Sequence, residues 1–422
     1  RRMQTRGAQV KFSEEEALTL IRRRTVVHIF RAMAGAAKDA NAGLPTLLQA
    51  ASEGLQRCFC GEATAHGVAP GRVEVIGNHT DYNEGYILSA AIDRYVVIAG
   101  RALASGTSNC AVQSASFEEK QQAPVRFECG VDQQKLSGAG EWANYVLGVV
   151  DEFHKRGVKL EGFEAYVVTS VPMGSGVSSS AALEMATAKL LAQLFPEACK
   201  ALSDLDVVLM CKSAENNFVG MGCGVLDQFS SGMGRADHLV FLDCRDLDKF
   251  EHVPFGGAAA FVLANTHAPH QLVDGQYMQL RKSCEEAAAL FDKALDKTVT
   301  HLRDVSVDDF EAHKDMLPPG ARACAKHIVH ENQRVLDSVQ ALREGDLQRL
   351  GVHMSASHSS SSCDFKNSCP QLDAMVRAAE GLEGWLGGRL MGGGFGGCTI
   401  NLVEANKVEA FSKDLCSRYK KE

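Results

Sequence analysis

The stretch Val171-Pro-Met-Gly-Ser-Gly-Val-Ser-Ser-Ser-Ala-Ala-Leu-Glu-Met-Ala186 leads from a strand pattern, through glycines and serines, into an alanine-rich helix pattern. Glycines let a backbone approach phosphate closely, and a helix N-terminus supplies free N–H groups with a positive dipole end. The serine hydroxyls add donors and a candidate Mg²⁺ ligand. Residues 172–180, named the serine loop, are therefore predicted to bind phosphate. The Walker A pattern is missing, and a lone loop of this composition usually only caps its helix.

A second element is Gly71-Arg-Val-Glu-Val-Ile-Gly-Asn-His-Thr-Asp-Tyr-Asn-Glu-Gly-Tyr86. A short strand delivers Arg72 near one end and the polar side chains Asn78, His79 and Asp81 near the other. Because each hydroxyl of a sugar needs a donor and an acceptor, this cluster suits a polyhydroxylated ligand. The alternative is a surface turn, where Asn, Asp and Gly are common for local reasons. Residues 77–82 are named the histidine loop.

The third element, Met391-Gly-Gly-Gly-Phe-Gly-Gly397, is named the glycine turn and comes before the apolar strand pattern of residues 398–403. Its glycines either punctuate the strand or let the backbone pack against a nucleotide site.

Strand and helix patterns alternate along the chain, which predicts the mixed α/β class. We expect a helical extension over residues 1–40, an N-terminal domain over 41–248 and a C-terminal domain over 249–422, with the boundary in the turn-rich region 243–254. Helices are predicted over residues 44–59, 181–194, 277–295, 321–342 and 370–380. Residues 260–264 are predicted to form a strand.

Composition excludes several classes of protein. The 422 residues are 45% hydrophobic and 23% charged, with a net charge of −8 and no basic cluster, which argues against a nucleic-acid partner. No apolar run reaches the roughly 20 residues needed to cross a bilayer. The 14 cysteines are scattered, without a zinc-type spacing, so reduced thiols and a cytoplasmic location are expected. Composition leaves monomer and homodimer open.

Together and in this order, the three elements resemble the motifs of the GHMP kinase family, and within it the branch that phosphorylates galactose. The resemblance extends to Trp142-Ala-Asn-Tyr-Val and Cys223-Gly-Val-Leu-Asp-Gln-Phe, and spans about residues 50 to 410. It implies an N-terminal domain like ribosomal protein S5 and a ferredoxin-like α+β C-terminal domain. The active site would lie in the cleft between them, with ATP, Mg²⁺ and a small sugar as ligands.

The resemblance also implies residue roles. Asp227 would contact the anomeric hydroxyl as the general base, and Arg72 would keep it ionised. Ser180 and Glu215 would be near Mg²⁺, and Trp142 would stack on adenine, although a core tryptophan is nearly as good an explanation. The further sugar contacts would be Asn78, His79, Asp81, Gly224 and Tyr277, and the further ATP contacts would be Gly174, Ser175, Gly176, Ser178 and Ser179.

Two departures from the family pattern concern the choice of sugar. The galactose branch usually has Glu at position 78, where it contacts the C6 end of the sugar. Asn78 would still serve a 6-hydroxyl, and it would also tolerate a C6 carboxylate or methyl group. Galacturonate and fucose therefore stay open beside galactose. The preference at C2 is also open, so N-acetylgalactosamine is a further candidate. Residues 359–365 also differ from the pattern.

A catalytically silent sugar and ATP sensor is the alternative from another class of protein. The intact Ser180-Ala-Ala stretch, Arg72 and Asp227 argue against it. Relatives that phosphorylate mevalonate, homoserine or shikimate are disfavoured by the histidine loop.

Overall fold

The computed structural model describes residues 27–30, 43–268 and 274–420. Its larger sheet has seven strands, and its central strand β3 pairs along its length with β2. The C-terminal half of β3 also pairs with β6, and its N-terminal end pairs with β7. The strand therefore connects the two halves of the sheet. The strands are β2 (Ala65–Ile76), β3 (Tyr86–Ala102), β4 (Asn109–Ser114), β5 (Val125–Glu128), β6 (Phe163–Thr169), β7 (His238–Asp243) and β8 (Glu251–Pro254).

Helices cover both faces of this sheet. Helix α1 buries Leu47, Ala51, Leu55 and Phe59, a spacing of three to four residues that gives one apolar face. Gly67 in β2 has no side chain, and a Cβ there would meet the Ala186 carbonyl oxygen at 1.9 Å, so glycine lets α4 pack closely. The helices are α1 (Leu44–Phe59), α2 (Ala115–Glu118), α3 (Asn144–Lys155), α4 (Ser179–Leu194), α5 (Pro196–Cys199), α6 (Asp204–Ser213) and α7 (Leu226–Met233).

The smaller sheet has the order β1-β9-β11-β10. Strand β1 is parallel to β9, whereas β11 is antiparallel to both of its neighbours. Strand β11 is buried except at its last residue, as the apolar pattern predicts. The strands are β1 (Val27–Phe30), β9 (Ala259–Asn265), β10 (Trp385–Leu390) and β11 (Cys398–Glu404).

Some of the remaining helices pack on this sheet, and the others pack mainly on one another. Two helices end in a π-helical turn, Ala214–Val219 after α6 and Ser361–Phe365 after α11, and such turns are frequent at functional sites. The helices are α8 (Asp274–Ala294), α9 (Val307–His313), α10 (Pro319–Glu344), α11 (Leu347–Ser360), α12 (Pro370–Ala379) and α13 (Val408–Tyr419).

Mixed α/β class and the predicted helices are confirmed, but the N-terminal extension differs. Residues 27–30 form a strand rather than part of a helix, because the run Val-His-Ile-Phe, of high β-propensity, pairs with β9. The rest of the predicted extension lies outside the described residues. Strand β8 belongs to the larger sheet, so the change of sheet falls between Pro254 and Ala259, a few residues after residue 248. The domain division itself remains a proposal.

Within the described ranges, none of the helices combines the length and the apolar character that crossing a membrane requires.

Candidate active site

The three glycine-rich elements meet at one place in the fold. The backbone N–H of Arg72 donates to the Val177 carbonyl oxygen at 3.1 Å, which joins β2 to the serine loop. A Cβ on Gly71 would meet that same oxygen at 2.8 Å, so glycine is needed for the close approach. The glycine turn contacts the histidine loop through the Gly392 and Gly393 carbonyl oxygens. The sequence therefore predicted correctly that these three elements belong together.

Arg72 and Asp227 form an ion pair at this junction. The Arg72 Nη2 atom lies 2.6 Å from Asp227 Oδ1, and Nε donates to the same oxygen at 2.8 Å. The third nitrogen, Nη1, donates to the Gly176 carbonyl oxygen at 2.7 Å, which ties the guanidinium to the serine loop. Asp227 lies in the first turn of α7, where a helix N-terminus favours a negative charge. The carboxylate is therefore held in a fixed position next to the serine loop.

Ser178 approaches the same carboxylate from the serine loop. Its hydroxyl donates to Asp227 Oδ2, the oxygen that Arg72 leaves free. Ser178 is the residue before α4 and has a φ of 54°, a left-handed conformation that is uncommon for a residue with a side chain. Such strain is held in place at functional sites. Gly174 and Gly176 also have positive φ angles, 69° and 71°, which their lack of a side chain permits.

The Ser180 hydroxyl lies close enough to the Glu215 carboxyl group to lower its pKa. Glu215 lies in the π-helical turn after α6, and its burial, followed by the nearby Asp227 charge, raises its pKa overall. A carboxylate and a hydroxyl are oxygen ligands of the kind that Mg²⁺ takes, one or two at a time, beside phosphate oxygens. The predicted pair therefore fits the ion. Ser179 begins α4, and Ser175 is buried, with Asn265 Nδ2 at 3.4 Å from its hydroxyl.

Two buried residues behind Glu215 were missed by sequence reasoning. Gln228 Nε2 donates to Glu215 Oε2 at 2.5 Å and to Glu184 Oε2 at 2.9 Å. Burial raises the pKa of Glu184 well above its usual value, with a further contribution from Glu215. Glu184 follows the serines in the alanine-rich helix, where its one polar side chain among apolar neighbours was the available signal. The two residues support the orientation of Glu215.

Asp81 of the histidine loop lies against Gly224, just before α7. Asp81 Oδ1 accepts from the Tyr82 backbone N–H at 2.9 Å, and Oδ2 lies against Gly224. A Cβ on Gly224 would come within 1.6 Å of Oδ2, so a larger residue there would displace the Asp81 carboxylate. Burial raises the pKa of Asp81 to about 6, and the charges of Glu74 and Asp227 act in the same direction. Asp81 is therefore a hydrogen-bond acceptor whose charge depends on pH near neutrality.

His79 is surrounded by three aromatic rings. Their centroids lie 5.6 Å (Tyr82), 5.2 Å (Tyr277) and 4.8 Å (Phe365) from that of the imidazole. Burial lowers the pKa of His79 to about 3, so the ring is neutral. The Nε2 atom is 3.2 Å from the Gly393 carbonyl oxygen and carries the proton, because a carbonyl only accepts. Nδ1 then accepts from the Tyr82 hydroxyl at 2.9 Å, so both nitrogens are engaged.

Two residues that were predicted to contact a ligand, Asn78 and Trp142, have side chains that contact other parts of the protein. Asn78 is 1% exposed, and its amide is hydrogen-bonded within the protein. Trp142 is half-buried and stacks on Phe117 with ring centroids 5.2 Å apart. One face of the indole is thus covered, and its stacking on adenine stays a prediction.

Comparison with known proteins agrees with this geometry. Models of the GHMP kinases N terminal domain and the GHMP kinases C terminal match residues 144–235 and 338–421. The galactokinase galactose-binding signature matches residues 56–102, which contain the histidine loop. The chain is 41% identical over 360 residues to a galactokinase of Haemophilus influenzae (strain PittGG), covering 84% of this chain and 88% of that protein.

The chain belongs to the galactokinase family. It is therefore a sugar kinase of the GHMP type. The galactokinase of Homo sapiens is 38% identical over 375 residues, which is 88% of this chain and 92% of that protein. The solved galactokinase of Lactococcus lactis in complex with galactose superposes with a TM-score of 0.79 at 30% identity, covering 89% of this chain and 94% of that one.

The fold is shared more widely than the galactokinase family. A solved mevalonate kinase of Methanococcus jannaschii matches with a TM-score of 0.58 at 15% identity, covering 85% of this chain and 96% of that one. At that identity the likeness concerns the fold alone. The predicted two-part GHMP fold is confirmed.

Proposed function

We propose that this chain transfers the γ-phosphoryl group of ATP to the anomeric hydroxyl of galactose. The observation that carries the proposal is the Asp227 carboxylate, which Arg72 holds from one side and Ser178 from the other, where the strand before the histidine loop meets the serine loop. The carboxylate thus lies between a predicted sugar site and a predicted phosphate site. The similar galactokinase of Lactococcus lactis was solved in complex with galactose, which supports that sugar as the acceptor.

The sugar would lie against the histidine loop and the start of α7. Asp81 would supply a carboxylate oxygen that accepts from sugar hydroxyls, and the lack of a side chain at Gly224 makes room for that carboxylate. Tyr277 is half-buried next to His79 and offers a hydroxyl that both donates and accepts. Asp227 would orient the hydroxyl at C1. His79 would act mainly by shaping the wall of the pocket, since its two nitrogens are engaged.

ATP would place its phosphates on the serine loop, at the N-terminus of α4. The free N–H groups of that helix end and the hydroxyls of Ser178, Ser179 and Ser180 would bind phosphate oxygens. Ser180 and Glu215 would hold Mg²⁺, which when bound neutralises charge on the phosphates. We propose that Trp142 contacts adenine through the indole face that Phe117 does not cover.

In the reaction the C1 oxygen attacks the γ-phosphorus, and the bond between that phosphorus and the oxygen of the departing ADP breaks. The hydroxyl proton passes to Asp227, which Arg72 stabilises before transfer. Since phosphoryl transfer has a loose transition state, positioning by these residues contributes at least as much as proton removal. The products are galactose 1-phosphate, ADP and a proton that Asp227 returns to water.

A coupled assay of ADP release tests this function. Mg²⁺-ATP is offered with galactose, galacturonate, fucose, N-acetylgalactosamine and glucose in turn. Turnover that is highest with galactose supports the proposal, and turnover with another sugar alone would reassign the substrate. Release of no ADP with any sugar, together with calorimetric binding of galactose, would instead support the sensor.

A cytoplasmic location is also proposed. The 14 cysteines all lie in the described ranges, and each is a free thiol there. Reduced thiols are typical of the cytoplasm. Mass measurement in solution would decide between monomer and homodimer.

A further inference from the structure

Asn78 lies in the histidine loop, but its side chain is turned into the protein. Its Nδ2 atom donates to Glu74 Oε1 at 3.1 Å and to the Gly392 carbonyl oxygen at 2.6 Å. Its Oδ1 atom accepts from Asn367 Nδ2 at 2.8 Å. A primary amide has two N–H groups, and both are used here. Asn78 therefore has no donor left for a sugar hydroxyl.

Glu74 connects Asn78 to a residue from the other end of the chain. It is 2% exposed, and its Oε1 atom lies 2.7 Å from Nη1 of Arg389, which is completely buried. Arg389 lies in β10, two residues before the glycine turn. One carboxylate oxygen thus joins the histidine loop to the strand that leads into the glycine turn. The contact from Asn78 to Gly392 is the second link between the same two segments.

Two further charged residues, Glu331 and Arg334, complete this cluster. Glu331, completely buried in α10, accepts from the backbone N–H groups of Gly77 at 3.0 Å and Asn78 at 3.1 Å. Its other oxygen accepts from Arg334 Nε at 2.7 Å. Two carboxylates, Glu74 and Glu331, therefore face two guanidinium groups, those of Arg389 and Arg334. A carboxylate at position 78 would place an oxygen against Glu74 Oε1 and the Gly392 carbonyl oxygen, which only accept hydrogen bonds, and such buried repulsion is strongly unfavourable.

We propose that Asn78 is a positioning residue, which Glu74 and Arg389 hold so that the histidine loop keeps its place against the glycine turn, and that it does not contact the C6 group of the sugar. The inference rests on the proposed function for its substrate. Asn78 then affects every sugar that binds to this loop by the same factor. The choice between galactose and its C6 variants would be made by other residues.

The first test compares galactose with 6-deoxygalactose. Asn78→Asp replaces the donor N–H by an oxygen that faces Glu74 and the Gly392 carbonyl. We expect kcat/KM to fall on the order of 100-fold for both sugars, because the repulsion displaces the histidine loop and a misplacement of about an ångström costs a factor of that size. The ratio of the two kcat/KM values should stay within about threefold of wild type. A loss confined to galactose would show that Asn78 contacts the 6-hydroxyl and would overturn the proposal.

The second test exchanges the charge between the two positions. Glu74→Gln combined with Asn78→Asp keeps one carboxylate next to Arg389 and returns an N–H donor to the pair. We expect the double variant to recover about tenfold of the activity that Asn78→Asp loses, because neighbouring residues in one network are coupled. A double variant whose loss equals the product of the single losses would contradict the proposal.

Asn144→Asp is the matched control. Asn144 is also 1% exposed, and its amide bonds to the backbone of Leu136 on both sides, away from the histidine loop. This variant should lower Tm but leave KM for galactose unchanged, whereas Asn78→Asp should raise KM for galactose and not that for ATP. If Asn78→Asp does not fold, Asn78→Ser removes the amide without adding charge, and the ratio of the two sugars is read from it.

Failure of the proposed function would be recognised separately. Wild-type protein without turnover of galactose would refute that function by itself. The coupling of Glu74 and Asn78 would then be read from the Tm values of the wild type, the two single variants and the double variant. A Tm of the double variant above that of Asn78→Asp supports the pairing, and one below it contradicts the pairing.

Discussion

Arg72 and Asp227 are 155 positions apart in the chain, and their side chains form an ion pair with Arg72 Nη2 2.6 Å from Asp227 Oδ1. The first residue comes from a strand of the larger sheet, and the second from the first turn of α7. The pair thereby fixes a carboxylate beside the serine loop. The two side chains differ in their exposure to solvent: that of Arg72 is 7% exposed and that of Asp227 is 22% exposed.

We expect Asp227→Asn to lower kcat by a factor of about 10² to 10⁴, the range for loss of a general base. The Asn side chain has the shape of the Asp227 side chain, but it cannot accept the proton of the sugar hydroxyl. It also carries no charge to pair with Arg72. KM for ATP should change little. Steady-state kinetics with Asp246→Asn as the surface control measures both values. A kcat within threefold of wild type would mean that Asp227 does not act on the hydroxyl.

Ser178 offers a test of the serine loop. Its hydroxyl donates to Asp227 Oδ2, so we expect Ser178→Ala to lower kcat about tenfold, the effect of one lost hydrogen bond to a charged group. Because φ is 54° there, Ser178→Gly relieves the backbone strain and still lacks the hydroxyl. Equal losses in the two variants would assign the effect to the hydroxyl. Full activity of Ser178→Gly would assign it to strain.

Sequence reasoning identified the elements of the site because each is a local pattern. The helix predicted over residues 44–59 has those bounds in the structure, and the one predicted over 370–380 ends a residue earlier. Such segments carry a complete apolar face within their own sequence. The strand at residues 27–30 was predicted to be a helix because its apolar residues also fit helical spacing, and its pairing with β9 is a contact with a distant segment.

The buried network behind the histidine loop was not predictable in the same way. Glu74, Glu331 and Arg389 come from three separate parts of the chain and meet only in the folded structure. A pattern search within one segment has no means of pairing them. Asn78 was noticed as a departure from the family pattern, but whether its amide points outward or inward depends on that network.

The pKa of Asp81 predicts a pH dependence of sugar binding. Burial raises it to about 6, with Glu74 and Asp227 acting in the same direction and Lys212 opposing. Ionised Asp81 accepts from sugar hydroxyls, so kcat/KM for the sugar should rise with pH around a midpoint near 6. Stability should change the opposite way: the contribution of this group is complete below about pH 4, its unfolded value, and is lost as pH rises through 6.

A pH series of kcat/KM and of Tm checks both parts of that prediction. Asp81→Asn should remove the step near pH 6 from each curve and raise KM for the sugar. A step that persists in this variant would belong to another group.

Gly224 predicts a steric effect. Gly224→Ala would place a Cβ 1.6 Å from Asp81 Oδ2, so either the carboxylate or the backbone just before α7 must move. We expect kcat/KM for the sugar to fall about 100-fold, as misplacement of a binding group by an ångström does. Gly222→Ala is the matched control, because its Cβ would meet only Met278 Sδ, at 4.0 Å. Equal kinetics of the two variants would argue against a sugar site beside Asp81.

The central claim is that phosphoryl transfer occurs to the C1 oxygen of galactose. Phosphorus NMR of a reaction with Mg²⁺-ATP and galactose measures both products in one spectrum. We predict one galactose 1-phosphate for each ADP, and with Asp227→Asn the same two products at a rate about 10² to 10⁴ times lower. ADP without a sugar phosphate, a phosphate on another carbon, or product formation by Asp227→Asn at the wild-type rate would contradict the account.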